Sequence, residues 1–175
     1  MKKTKQYKRV RAIDKQFGID KIILKQIREN KSILYGARSI QRQSDVARDT
    51  QDYDVLSKNP KKSAKQLQKR LDKMMGFNYF YDKPAMHKGT FKVKTIGVDM
   101  IKDTKDDQDV ADFTKMPIPK PAFYQDKSLK IRALKEEMKA KQNSLSDPLM
   151  EFRHKKDQDD LNRIKWAIKV RKMLK

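Results

Sequence analysis

The stretch "DTQDYDVLSK", residues 49–58, sets two carboxylates one residue apart between a polar turn and a short apolar run. Side chains alternate along a strand with period two, so Asp52 and Asp54 are expected on one face of it. Two like charges that close repel each other unless a cation sits between them. Taken alone the pair also suits a solvated turn, so its meaning rests on what surrounds it.

Upstream, Ile19, Ile22, Ile23 and Ile27 follow the three-four spacing of an amphipathic helix, with Asp20 near its start to suit the helix dipole. "SILYG" (32–36) reads as a short buried strand ending at Gly36, and "ARSIQRQ" (37–43) as a short helix directly after it. Downstream, "NPKKSAKQLQKRLDKMMG" (59–76) has Pro60 in a first helical turn, a closing Gly76, and Ala64, Leu67, Leu71 and Met74 on one face. "FNYFYDKPA", "GTFKVKTIGV" and "DVADFTK" are rich in aromatic and β-branched residues and separated by turn signals, which predicts three strands. Residues 102–109 form a charged loop between two of them. After "MPIPKPA" the composition turns helical, and Ser128 to Lys175 is expected as two helices divided at Asp147 and Pro148.

A third acid on a neighbouring strand would complete an oxygen cage for one or two Mg²⁺ ions, which also take phosphate oxygens. Asp112, flanked by Ala111 and Phe113, is the first choice because an acid inside an apolar strand is costly to bury without a partner. Asp99 in "IGVDMI" competes from a position nearer a turn.

The chain has 44 Lys and Arg against 23 Asp and Glu, a formal charge of +21, so its field attracts polyanions such as nucleic acid or nucleotides. Hydrophobic residues make up 37%, enough for one thinly built core in 175 residues. Cysteine is absent and only His87 and His154 carry imidazoles, which excludes disulfides and disfavours a structural zinc. No window has the roughly 20 apolar residues of a membrane span, and the charged start lacks the apolar stretch of a secretory signal. A soluble protein of a reducing compartment is expected, cytoplasmic or virion-associated, with no membrane partner.

The order "YGARS" (35–39), "DYDV" (52–55) and "VADF" (110–113) resembles the polymerase β-type nucleotidyltransferase superfamily, nearest in character to viral poly(A) polymerase catalytic subunits. "FRHKKDQDDLNRIKW" (152–166) resembles a charged pattern that follows the core in many small members. The resemblance implies an α+β fold, a mixed β-sheet with packed helices and a C-terminal helical segment. Its expected divisions are a basic N-terminal arm (1–18), a core (19–122) and a C-terminal helical segment packing on it (123–175). It also implies transfer of a nucleoside monophosphate from a nucleoside triphosphate (NTP) to a hydroxyl, with two Mg²⁺ ions held by Asp52, Asp54 and Asp112. Asp112 would also help activate the acceptor hydroxyl.

Gly36 and Ser39 match the small-residue motif beside the triphosphate, and Arg38 adds charge there. The family usually has Gly or Ser where this chain has Ala37, so a hydroxyl contact falls to Ser39 or to backbone. Lys88 is a further nucleotide-binding candidate, since His87, Lys88, Lys92 and Lys94 offer cations to a triphosphate or an acceptor strand, or else form a solvated face. Asp157 is expected to hold Arg38 or a strand lysine and so to steady the phosphate-binding residues from behind. Tyr79, Phe80 and Tyr81 suit base stacking or core packing, and Trp166 is expected in the core. Expected partners are RNA or DNA, the NTP, and a protein supplying acceptor binding. The alternative is a non-catalytic basic protein that binds nucleic acid on the same fold.

Overall fold

The computed structural model describes residues 18–44, 50–97 and 101–173. The basic arm and Asp99 lie outside the described residues, except for Gly18 at the arm's end. Helix α1 (Ile19–Glu29) leads into strand β1 (Ile33–Tyr35), short helix α2 (Gly36–Gln41), strand β2 (Tyr53–Ser57) and helix α3 (Pro60–Met75). Strands β3 (Phe80–Pro84), β4 (Thr90–Thr95) and β5 (Asp109–Lys115) follow, as their composition predicts. Next come β6 (Phe123–Asp126), β7 (Leu129–Arg132), helix α4 (Leu134–Leu145), a 3₁₀ turn (Pro148–Arg153) and helix α5 (His154–Met173).

All seven strands form one mixed sheet in the order β3-β4-β5-β2-β1-β7-β6. The β2 strand runs antiparallel to β1 and parallel to β5, and β7 runs parallel to β1. Alternation gives the central strands one apolar face. Leu34, Tyr53, Val55, Phe113, Leu129 and Ile131 turn to one side, where they pack with Ile19, Ile23 and Ile27 of α1 and Ala64, Leu67 and Leu71 of α3. Tyr79 and Phe80 lie in this same core and Tyr81 is buried, so the aromatic run packs the interior and is not open for stacking. The α3 helix starts where Asn59 Oδ1 accepts from Lys62 N at 3.2 Å, and it stops at Gly76, whose φ is 78°.

The other face carries polar residues. There Ile40 of α2 joins Leu134, Ile164 and Ala167 in a smaller cluster that seats α4 and α5.

Two expectations are corrected. Residues 129–132 are strand, not helix: the hairpin β6–β7 extends the sheet beside β1, so the segment from 123 begins within the sheet. Trp166 is 54% exposed, because the buried face of α5 passes through Leu161, Ile164 and Ala167. Among the described residues no helix is long and apolar enough to cross a membrane.

Candidate active site

Pairing places the acids. Asp54 stands opposite Asp112 across the parallel β2–β5 pair, and Tyr35 of β1 stands opposite Asp54 from the other side. Asp52 lies just before β2, where Thr50 Oγ1 donates to its Oδ1 at 2.9 Å. One oxygen from each of Asp52, Asp54 and Asp112 lies within 4.8 Å of the others. The sequence-predicted triad therefore converges.

Burial, then the charges of Asp52 and Asp112, push the Asp54 carboxyl up to about 7. Burial also raises Asp112 to about 6, against the pull of Lys92. Asp112 Oδ1 is shielded from solvent and has no hydrogen-bond partner. These oxygens crowd together, and burial and mutual repulsion outweigh the pull of the nearby lysines, a donor set that suits a hard divalent cation such as Mg²⁺.

Sequence reasoning missed the fourth acid. Between Val93 and Lys94 the β4–β5 register shifts, so that Val93 faces Ala111 while Lys94 faces Asp109. The bulge turns Asp109 to the side of Asp112. Lys92 Nζ sits 2.9 Å from Asp109 Oδ2 and 3.1 Å from Asp112 Oδ2. Burial opposes the Lys92 charge, but its bonds to Asp109 and the attraction of Asp112 outweigh it and raise its pKa.

Gly36 begins α2 with φ 70°, and its backbone lies so near Asp54 that a Cβ there would stand 2.2 Å from Asp54 Oδ2. Gly36 N donates to Glu137 Oε1 at 2.9 Å. Ser39 Oγ, with one proton to give, lies 2.8 Å from the same oxygen and 2.9 Å from Gly36 O. Glu137, also missed, is thus the buried acceptor of the small-residue motif; burial raises its pKa against the opposing charge of Arg132. A signal existed: Leu134, Glu137 and Lys141 share one helical face, so the acid stands where an apolar residue is expected.

The triad and the Gly36 turn line a cavity of about 640 Å³, roofed by α4, the 3₁₀ turn and α5 with Lys141, Arg153 and Lys156. Arg38 does not join it. Its guanidinium lies 4.4 Å from the Tyr53 ring centroid and 3.9 Å from Asp20, on the core side of the sheet. Lys88 sits exposed in the β3–β4 turn, outside the lining, although its neighbour His87 does line the cavity.

Asp157 is fully buried, but its partners are neither Arg38 nor a strand lysine. Lys141 Nζ bonds it at 2.7 Å, Ser144 Oγ at 2.6 Å and Arg153 Nε at 3.1 Å, and Lys141 also reaches Asp160 at 3.0 Å. Burial works against this carboxylate, yet these donors hold it below the usual range. Asp157 therefore clamps α4 to α5 as the cavity roof. Asp157→Ala leaves Lys141 half-compensated in the interior and is expected to cost about 2–3 kcal/mol, a fall in Tm of about 5–10 °C. A melting curve matching wild type would refute the clamp.

No protein-family model matches the chain, and no curated protein matches it by sequence. Solved structures do match by shape. A Megavirus polyadenylate synthase superposes with a TM-score of 0.68 at 17% identity, over 87% of this chain and 31% of the synthase. JHP933 from Helicobacter pylori superposes with a TM-score of 0.53 at 14% identity, over 82% of this chain and 62% of JHP933. This chain thus spans about a third of the synthase. At such identities the likeness concerns the fold alone: a mixed sheet with packed helices.

Proposed function

We propose that the chain is a Mg²⁺-dependent nucleotidyltransferase that moves a nucleoside monophosphate from an NTP to a hydroxyl of a nucleic acid, nucleotide or protein acceptor. The observation that carries this is the convergence of Asp52, Asp54 and Asp112 beside the Gly36 turn, on a fold shared with a polyadenylate synthase. Asp52 and Asp54 would hold both ions, with Asp112 completing the site of the catalytic one. When bound, the ions neutralise charge on the attacking and leaving oxygens of an in-line displacement.

The chain's own groups do the rest. Asp112, whose Oδ1 has no hydrogen-bond partner, would take the proton of the acceptor hydroxyl. Gly36 N and Ser39 Oγ offer donors to a phosphate oxygen in place of Glu137. Lys141 and Arg153 on the roof are engaged by Asp157 and Asp160, and Lys156, whose charge acts on Asp54, would bring positive charge to the far side of the cavity. The cavity volume is of the size that encloses a small organic ligand.

A second reading, a non-catalytic basic protein that binds nucleic acid on this fold, is favoured by Lys92. Its ammonium already compensates Asp112 and Asp109 without a metal.

Incubation with each α-labelled NTP, Mg²⁺ or Mn²⁺, and RNA, DNA or protein separates the two. Label is expected in one acceptor class, dependent on metal and lost in Asp112→Asn. No metal-dependent label with any acceptor would favour the second reading.

A further inference from the structure

The face of the sheet that carries the acids continues past them. Across the strands, Lys92 faces Asp112, Asp112 faces Asp54, and Asp54 faces Tyr35. Because Ile33 pairs with Lys130 and Leu34 with Ile131, Arg132 comes beside Tyr35, and its guanidinium lies 5.9 Å from the Tyr35 ring centroid. Arg132 in turn faces Phe123 on the edge strand. One row of side chains thus runs from the carboxylates to the sheet edge. At the usual strand spacing, Phe123 stands about 14 Å from Asp54.

The far end of that row has an unusual make-up. Phe123 is 37% exposed, and two ammonium groups crowd its ring, Lys120 Nζ at 4.5 Å and Lys130 Nζ at 5.1 Å. Slight burial, then Lys130 and Lys58, depress the Lys120 pKa, so its charged neighbours are further lysines. Midway along the row, Arg132 lines the cavity with its Nε shielded from solvent and without an acceptor. Like charges gathered on an exposed aromatic ring suit a ligand that alternates phosphate with a flat ring.

We propose that Phe123, Lys120, Lys130 and Arg132 form a binding track for single-stranded nucleic acid, leading from the sheet edge to the carboxylate cluster. A base stacks on Phe123 as the two lysine ammonium groups leave the ring for the flanking phosphates, and Arg132 takes the next phosphate toward the acids. Calling that strand the acceptor rests on the nucleotidyl-transfer reading; the track itself does not. Tyr124 follows Phe123 but faces Ile131 on the opposite side of the sheet, so it serves as an internal control.

The test is the affinity of metal-free, NTP-free protein for labelled single-stranded RNA and DNA of mixed sequence, with inorganic tripolyphosphate as a ligand lacking bases. Phe123→Ala is expected to weaken single-strand binding about tenfold and leave tripolyphosphate binding unchanged. Lys120→Glu with Lys130→Glu is expected to weaken it by at least about tenfold and to flatten its salt dependence. Tyr124→Ala is expected to bind as wild type. Melting curves check that each variant folds; the four side chains are exposed or half-buried, and a fold loss in the lysine pair leaves Phe123→Ala against Tyr124→Ala to decide.

Wild-type affinity in both the Phe123 and the lysine variants, or an equal loss in Tyr124→Ala, overturns the track. If the wild-type chain transfers no label yet these losses appear, the transfer reading fails and the track stands. If it transfers label and the variants bind normally, the track alone fails.

Discussion

Gly36→Ala is expected to abolish transfer and to destabilise the chain, since an added Cβ meets its neighbours more closely here than at Gly18, Gly76 or Gly89. The residue has φ 70°, where a side chain costs about 1–2 kcal/mol. The added Cβ would also stand 2.2 Å from Asp54 Oδ2 and 2.9 Å from its Cγ, so either β2 or the start of α2 must move. Overpacking of this kind adds about 1–3 kcal/mol, for a total of about 2–5 kcal/mol and a Tm fall of several degrees. The displacement falls on the carboxylate at the centre of the site, and a shift of an ångström at reacting groups costs about a hundredfold or more. Thermal melting and label transfer read the two effects. A Gly36→Ala chain with wild-type Tm and turnover would show that Gly36 and Asp54 do not approach each other this closely.

Asp54→Asn is expected to remove activity while making the metal-free protein more stable. Asp54 is raised to about 7 by burial and by Asp52 and Asp112, and Asp112 to about 6. For an acid whose folded pKa lies above its unfolded value, the native state binds more protons than the unfolded state between the two pKa values. The contribution to stability is complete below about pH 4, the ordinary Asp value, and lost as pH rises through about 7. Without metal, wild type is therefore expected to lose Tm across that window relative to Asp54→Asn.

At pH 8 the variant should be the more stable by about 1 kcal/mol or more, about 3 °C. Mg²⁺ should raise the wild-type Tm increasingly with pH, because it competes with protons for the same oxygens, and should do little for the variant. Transfer should fall by about a thousandfold, the several kcal/mol that a lost metal site withdraws from the transition state. A variant that melts well below wild type at pH 8 without metal would mean that the carboxylate is structural.

The parts of this fold that are legible in sequence are those fixed by local chemistry. Pro60 and Gly76 bracket α3, alternation marks β2 and β5, and the acid within "VADF" points to Asp112. The parts that escape depend on distant partners. "FYQDKSLKIR" is short and charged, and it becomes a hairpin because β1, nearly a hundred residues earlier, offers an open edge to β7. Asp109 reaches the site only through a bulge, which reverses the face that alternation assigns it.

Trp166 misleads through hydrophobicity alone. It lies about 200° round the helix from Ile164, so its position in the period already sets it apart from the buried face. Arg38 stands between Gly36 and Ser39, yet its place in α2 aims it at Tyr53 and the core side of the sheet. The partner of Asp157, Lys141, is hidden from sequence because the two lie on the facing sides of two helices whose packing no short window reveals.

The central claim is that Asp52, Asp54 and Asp112 hold the metal that positions a triphosphate beside Gly36. Crystals of the chain soaked with Mn²⁺ and a non-hydrolysable NTP analogue test it most directly, through the anomalous signal of manganese. The account predicts peaks among the three carboxylates at about 2.1–2.2 Å from their oxygens, with phosphate density beside Gly36 N and Ser39 Oγ. Occupied Mn²⁺ elsewhere with Lys92 still bonded to Asp112, and no peak within the triad, would contradict it.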